Sequence, residues 1–299
     1  MSVLAITGGT GFVGGHLIDL AVARGHQVRA LTRRPQPPRA GVTWVEGALD
    51  RLGNLCEGAE AVIHVAGVIN GDAGAFHQGN VVGTGNMVDA ATHAGIDRFV
   101  HVSSLAAREP ELSAYGRSKA ASEEVVIASG NDWTIVRPPA IYGPGDRELL
   151  ELFRLARRRV VPLPPGGRLS VIAADDLCRL LLDCLVQPAS LCRTYEPDDG
   201  KPGGWSTVEF ARAIGAAVGR HVLPLPLPRA LLLGVSRADV ALRGNKAKLT
   251  RDRVDYFCHP DWTAALGAQP AGEWWRPEIE TAAGLAETAR WYRAEGWLR

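Results

Sequence analysis

One run of residues constrains this chain more than any other. Thr7-Gly8-Gly9-Thr10-Gly11-Phe12-Val13-Gly14 lies between a short apolar stretch, VLAIT (3–7), and a helix-like segment, 12–24. Glycines at 8, 11 and 14 permit a tight bend, a close approach of backbone to a diphosphate, and packing of helix on strand. The free N–H groups and the dipole at the helix N-terminus then favour an anion. A glycine triplet alone is weak, because turns use glycine generically. Here the strand before and the helix after supply the context the pattern demands. The expectation is a dinucleotide-binding loop made by Gly8, Thr10, Gly11, Phe12, Val13 and Gly14.

The first half of the chain repeats this alternation. Strand-like runs QVRALT (27–32), VTWVE (42–46), AVIHVA (61–66), RFVHVS (98–103) and WTIVRP (133–138) are interleaved with helix-like segments at 78–94 and 115–129. Such alternation predicts an α/β class fold, a doubly wound parallel Rossmann sheet with right-handed crossovers. After Pro138 the texture changes to clustered prolines and glycines around one helix near 146–159. Further helices are expected at 174–186 and 206–218, a strand at 192–197, and a terminal helix ending TARWYRAEGWL. The expected division is a dinucleotide-binding domain, 1–140, with 171–197 returning to it. Residues 141–170 and 198–299 then form a smaller C-terminal substrate-binding lobe.

Composition narrows the classes. With 46% hydrophobic and 22% charged residues the chain reads as an ordinary soluble enzyme. A net charge of +1 argues against a nucleic-acid partner or a polybasic membrane patch. The five cysteines (Cys56, Cys178, Cys184, Cys192, Cys258) have no metal-like spacing, so free thiols in a reducing compartment and no metal site are expected. The N-terminus carries no cationic segment of the secretory kind. The most apolar later stretch, LPLPLPRALLLGV (223–235), is broken by Pro224, Pro226 and Pro228 and falls short of the ~20 residues that span a bilayer. It reads as buried or substrate-facing rather than as a peripheral membrane contact. A cytoplasmic protein with no integral membrane segment is expected.

The end of the second strand bears on cofactor choice. An acid about 20 residues past the glycine loop holds the ribose 2′-hydroxyl of NAD in this kind of fold. Here the position is Thr32, followed by Arg33 and Arg34. Two guanidiniums without a carboxylate suit a 2′-phosphate. NADP is therefore expected, with NAD as the alternative and a solvated basic loop as the bland reading.

A second constellation follows. Tyr115-Gly116-Arg117-Ser118-Lys119 heads a helix-like segment, which places Tyr115 and Lys119 on one face at i and i+4. Upstream, RFVHV runs into Ser103-Ser104 at a strand's carboxyl end, where open α/β sheets bind ligands. A neighbouring ammonium and a cationic nicotinamide ring both favour the phenolate of a tyrosine, and a serine hydroxyl beside it can polarise a carbonyl. Each piece alone is ordinary helix-face or turn chemistry. Their order along the chain gives them force.

In these motifs the chain resembles the extended short-chain dehydrogenases/reductases of the NAD-dependent epimerase/dehydratase superfamily. TGGTGFVG (7–14), VIHVAG (62–67), GNVVGTGNMVDAA (79–91), RFVHVSS (98–104), YGRSK (115–119), RPPAIYGPGD (137–146) and the DDL near 175–177 carry the likeness. The ending, HPDW (259–262) and TARWYRAEGWL (288–298), is similar to dihydroflavonol and hydroxysteroid reductases. The resemblance implies a catalytic Ser104, Tyr115 and Lys119: the serine orients a carbonyl, the tyrosine exchanges the proton, and the lysine also holds the nicotinamide ribose. It implies further cofactor contacts at Leu49, Val65, Ala66, Gly67, Asn80, Val102, Ser103 and Pro138. Thr84 and Pro139 match the same segments.

Departures shape the functional reading. Gly47-Ala48 stands where the family often has Gly-Asp, only eleven positions separate Ser104 from Tyr115, and Ala140 replaces an asparagine common in sugar-nucleotide enzymes. The expected function is hydride transfer between NADP(H) and a carbonyl/alcohol pair on a small, rather apolar molecule. A sugar-nucleotide epimerase or dehydratase is one alternative. Another is a non-catalytic nucleotide-binding subunit, since the short loop resembles an atypical branch related to a complex I accessory subunit. Pairing of exposed helices into a homodimer is plausible by analogy. Other residues have plain readings: His64 and His101 as satisfied core histidines, His16 as a helix-face residue, and Arg154, Arg157, Arg158 and Arg159 as a solvated helix end. Trp205, Trp262, Trp274 and Trp275 suit core packing or an apolar pocket. Asp72 and His77 fall in the loop after the fourth strand.

Overall fold

The structure, a computed structural model, describes residues 1–244 and 249–298. It divides into two compact units: Met1–Pro138 with Ala174–Pro197 and Gly267–Arg276, and Pro139–Ala173 with Asp198–Leu266 and Pro277–Arg299. Gly267–Arg276, expected in the smaller lobe, belongs to the first unit. Its chain is tied there by the Ala268 carbonyl, which accepts from the Glu196 N–H at 2.8 Å.

Seven parallel strands build the first unit: β1 (Val3–Thr7), β2 (Gln27–Thr32), β3 (Val42–Glu46), β4 (Ala61–His64), β5 (Arg98–Val102), β6 (Asp132–Val136) and β7 (Arg193–Tyr195). Their spatial order is β3-β2-β1-β4-β5-β6-β7. The central strands are buried along nearly their whole length, which explains their continuous apolar character: helices cover both faces. The chain runs outward from β1 to β3, then returns to lay β4 against the other side of β1, with Leu4 beside Val28 and Ala61. Connections leave in opposite directions at that point. Such a switch creates the crevice in which open α/β sheets bind ligands.

Five helices belong to this unit: α1 (Phe12–Ala23), α2 (Ala73–Phe76), α3 (Gly83–His93), α4 (Ala114–Ile127) and α5 (Ala174–Val186). Between α2 and α3, His77–Val82 winds as a π-helical turn. The helix expected from 78 thus begins at 73, where the Asp72 carboxylate caps it by accepting from the Ala75 N–H at 2.8 Å. Gly74 and Gly79 had diluted the helical pattern there. Phe99, Val62, Met87, Leu55 and Val126 anchor the core beneath α3 and α4.

The second unit has its own core around Tyr142, Phe153, Val161, Phe210, Ile214, Leu285 and Tyr292. Short strand pairs, Ala140–Tyr142 with Val171–Ala173 and Val160–Leu163 with Leu223–Pro226, run parallel. The helix Thr207–Ala217 starts with a capping box between Ser206 and Glu209. Trp205 and Trp262 lie here, Trp205 against Phe210 and Trp262 stacked on Tyr256. Trp274 and Trp275 are in the first unit, Trp274 edge-on to Tyr195. The 223–235 stretch is not buried: Leu223, Leu225, Leu231 and Val235 are exposed.

Candidate active site

The glycine loop forms a cradle that side chains would fill. Gly8 has φ +73°, and a Cβ there would sit 2.8 Å from the Ala66 nitrogen; one on Gly14 would sit 2.0 Å from the Gly8 carbonyl oxygen. The loop is closed by the Gly11 N–H donating to the Gly8 carbonyl at 2.9 Å. Gly11 is the N-cap of α1, and no side chain caps that helix end. An uncapped helix start facing a glycine cradle fits a diphosphate group. His16, one turn in, does more than occupy a helix face. Its Nδ1 lies 2.6 Å from the Asp175 carboxylate at the head of α5, and this contact holds Asp175 below the usual carboxylate range.

The catalytic candidates come together at the carboxyl end of β5. Ser104 lies two residues past the end of that strand and caps a 3₁₀ turn, Leu105–Arg108, its Oγ accepting from the Ala106 N–H at 3.2 Å. Ser113 then caps α4, accepting from the Gly116 N–H at 3.0 Å. The turn closes on the helix at Gly116: a Cβ there would lie 2.6 Å from the Ala106 carbonyl oxygen and 3.2 Å from that of Glu109. This glycine brings the Ser104 turn down beside Tyr115. The tyrosine is half-buried, its ring 5.7 Å from that of Phe76. Lys119, one turn further, is buried, and its Nζ donates to the Val102 carbonyl at 2.9 Å. The Val102 carbonyl is thereby occupied. A Cβ on Gly67 would lie 4.0 Å from the same Nζ, which puts Lys119 at the ends of β4 and β5 together. The Pro138 carbonyl accepts from the Leu105 N–H at 3.1 Å, tying the segment after β6 to the Ser104 turn.

Burial pulls the Lys119 ammonium down to about 8, and the carboxylate of Glu123, four residues on, opposes that pull. Glu123 is itself buried in a network. It accepts from the Ser103 hydroxyl and takes two bonds from Arg137, at 2.8 and 2.6 Å. Arg137 reaches on to Glu196 at 3.4 Å, and Arg108 meets Glu196 at 3.1 Å. The Ser103 side chain therefore turns into the protein, toward Glu123. Bonds to both Glu123 oxygens keep the buried carboxylate in one orientation beneath Lys119.

A neutral cluster lies beside the charged one. Thr84 Oγ1 donates to the Asn80 carbonyl at 2.6 Å, so it accepts from His64 Nε2 at 3.1 Å. His64 Nδ1 then accepts from Thr7 Oγ1 at 2.7 Å, while Thr7 Oγ1 also accepts from the Ala66 N–H at 3.1 Å. Burial, with the Lys119 charge nearby, pushes His64 down to about 3, and it drives His101 well below its ordinary range. The two imidazoles stack at 5.4 Å between ring centres. Both His64 nitrogens are bonded, as the reading of a satisfied core histidine expects, whereas His101 Nε2 meets Ser122 Oγ at 3.1 Å and its buried Nδ1 has no partner among the described residues. Asn80 is buried and binds both the N–H and the carbonyl of Val68, at 2.6 and 2.9 Å, and the Ser118 hydroxyl at 2.9 Å. Its amide fixes the segment after β4, with Val65, Ala66 and Gly67, instead of pointing outward.

At the end of β2, Thr32 is buried and its hydroxyl donates to the Arg34 carbonyl at 2.6 Å. That bond folds the loop so that Arg33 and Arg34 are exposed, with no ion pair to either among the described residues. A depression of about 400 Å³ beside the glycine loop is lined by Thr10, Gly11, Gln36, Arg39 and Trp44, among others. Leu49 follows β3, its carbonyl held by Asn86 at 2.8 Å and its side chain against Gly83. The sequence reading missed Thr7, Gly116, Ser118, Glu123 and Arg137. The i+4 spacing of Lys119 and Glu123 and the Arg-Pro pair before the loop were the available signals.

Three comparisons bear on this arrangement. The NAD(P)H-binding family model matches residues 8–188. A ceramide reductase from Caulobacter vibrioides is 37% identical over 99% of this chain and 96% of its own length. A 2-alkyl-3-oxoalkanoate reductase from Stenotrophomonas maltophilia is 33% identical over 87% and 90%. Among solved structures, MoeE5 in complex with UDP-glucuronic acid and NAD superposes with a TM-score of 0.75 at 20% identity, covering 99% of this chain and all of the other.

Proposed function

The chain belongs to the NAD(P)H-binding family within the extended short-chain dehydrogenases/reductases and is an NAD(P)-dependent oxidoreductase; from that premise we propose that it reduces a ketone on a long-alkyl substrate with NADPH. The buried Lys119 under the turn that joins Ser104 to Tyr115 carries the catalytic part of this reading. The relatives named for ceramide and for 2-alkyl-3-oxoalkanoates support the substrate class. The likeness to MoeE5 speaks for the fold alone.

When bound, the nicotinamide supplies the hydride. Gly8, Gly11 and Gly14 would hold the diphosphate, and Arg33 and Arg34 the 2′-phosphate. Ser104 Oγ donates a hydrogen bond to the substrate carbonyl and polarises it. The Tyr115 phenol delivers the proton to the carbonyl oxygen as the alcohol forms. The Lys119 ammonium lowers the cost of the resulting phenolate, and Glu123 keeps Lys119 charged near neutral pH.

The test is NADPH oxidation with a 2-alkyl-3-oxo ester. Tyr115→Phe is expected to lower kcat by roughly 100- to 10,000-fold while leaving NADPH affinity within about threefold. Full turnover in that variant, or no turnover of any long-alkyl ketone by the unaltered chain, refutes the reading.

A further inference from the structure

One buried carboxylate of the first unit serves neither the sheet nor the reacting groups directly. Glu196 stands just past β7, the edge strand, and is 2% exposed. Main-chain bonds hold this segment without the side chain: β7 pairs with β6 from Arg193 to Tyr195, and the Glu196 N–H donates to the Ala268 carbonyl at 2.8 Å. Taking a carboxylate out of water is costly, and replacing a buried ion pair by apolar side chains of similar volume is often neutral for stability. The placement of this charge therefore points to something other than holding the strand.

Its two oxygens go to two different guanidiniums. Glu196 Oε2 accepts from Arg108 at 3.1 Å, and Oε1 from Arg137 at 3.4 Å. Arg108 closes the 3₁₀ turn that Ser104 opens. The near end of that turn is pinned by main chain, through the Leu105 N–H and the Pro138 carbonyl. Its far end is tethered across 88 residues of chain by Arg108 and Glu196. Because the Ser104 hydroxyl accepts from the Ala106 N–H within the same turn, a turn that slides carries the hydroxyl with it. Arg137 is secured independently, by its two bonds to Glu123 and by its own N–H, which donates to the Tyr195 carbonyl at 2.7 Å. Loss of the Glu196 charge thus leaves the Glu123 arm standing and takes a buried counter-charge from Arg108.

We propose that Glu196 is a positioning residue, which through Arg108 fixes the Ser104 turn and so aims the Ser104 hydroxyl at the substrate carbonyl oxygen. The inference rests on the reading of Ser104 as the group that polarises the carbonyl, and extends it to a residue on the far edge of the sheet. Glu196 acts on the serine and not on Lys119, whose ionisation follows burial and Glu123.

Steady-state kinetics of the full chain with NADPH and a 2-alkyl-3-oxo ester test the proposal. Glu196→Gln and Arg108→Met should each lower kcat by roughly 10- to 100-fold while changing NADPH affinity by less than about threefold. The high-pH limb of kcat should stay where it lies in the unaltered enzyme. Ser104→Ala alone should lower kcat by about 100- to 1,000-fold. Added to Ser104→Ala, either substitution should cost less than about a further twofold, since no hydroxyl is left to aim. A general folding defect would instead carry through at full size. Should Glu196→Gln fail to melt cooperatively, Arg108→Met makes the same comparison from the end of the pair that is 25% exposed. Full kcat in both single variants, equal losses with and without the Ser104 hydroxyl, or a displaced high-pH limb overturns the proposal and leaves the catalytic reading intact. Unaltered kcat in Ser104→Ala overturns both.

Discussion

The glycine loop after β1 and the helix of the catalytic candidates after β5 are separated in the sheet by β4 and are built on opposite principles. The loop works by absence: Gly8 and Gly14 leave space that only backbone occupies, and no side chain caps α1. The helix works by buried side chains held in place by hydrogen bonds. Lys119 is buried against Val102, and Glu123 is cross-linked to Ser103 and Arg137. A steric fault should therefore break the loop's binding in one step. An electrostatic fault should retune the helix gradually.

The largest effect on nucleotide binding is expected at Gly14. A Cβ 2.0 Å from the Gly8 carbonyl must displace the loop, so Gly14→Ala should weaken NADPH by about a hundredfold, ~2.7 kcal/mol. Fluorescence titration reads this directly, and unchanged affinity would show that the cradle is not the diphosphate site. Arg33→Ala with Arg34→Ala comes next. Removing two exposed guanidiniums should cut the preference for NADPH over NADH by roughly 10- to 100-fold in kcat/KM. A preference that survives would return these arginines to the solvated-loop reading.

Glu123→Gln should give the smallest change in activity and the most diagnostic one. Burial lowers Lys119 to about 8 and the Glu123 charge raises it, so loss of that charge lowers it further. Ketone reduction needs the ammonium, and its rate should fall as pH rises through the lysine's value. The variant's high-pH limb should therefore lie below that of the unaltered enzyme, by about one pH unit or less. A limb that stays in place in the pH profile would reduce Glu123 to a structural ion pair. Melting should also drop, by roughly 3 kcal/mol, because Arg137 loses a buried partner.

These contrasts explain what could be read without coordinates. The loop was legible because its chemistry is local: strand, glycines and helix start lie within twelve residues, and their spacing states the geometry. Ser104, Tyr115 and Lys119 were legible by order along the chain. Glu123 was hidden because its partners, Ser103 and Arg137, lie just past β5 and just past β6, away from its own helix. Gly116 was hidden because what it admits, the Ala106 carbonyl, belongs to a turn whose path no periodicity reveals. Asn80 was identified by position but not by orientation, since the Val68 backbone that engages it leaves the sheet at an irregular segment.

The stretch 223–235 reverses the usual direction of error. It read as buried or substrate-facing, and only packing showed that the core of the second unit closes without its exposed leucines. The sequence by itself determined the parallel sheet, the glycine loop and the position of the Ser104, Tyr115 and Lys119 candidates along the chain, because periodicity and local spacing encode them. Tertiary structure decided the ionisation of Lys119, the neutrality of His64 and which apolar residues stay in water. Those properties depend on burial and on partners distant in the chain, and a linear pattern does not carry them.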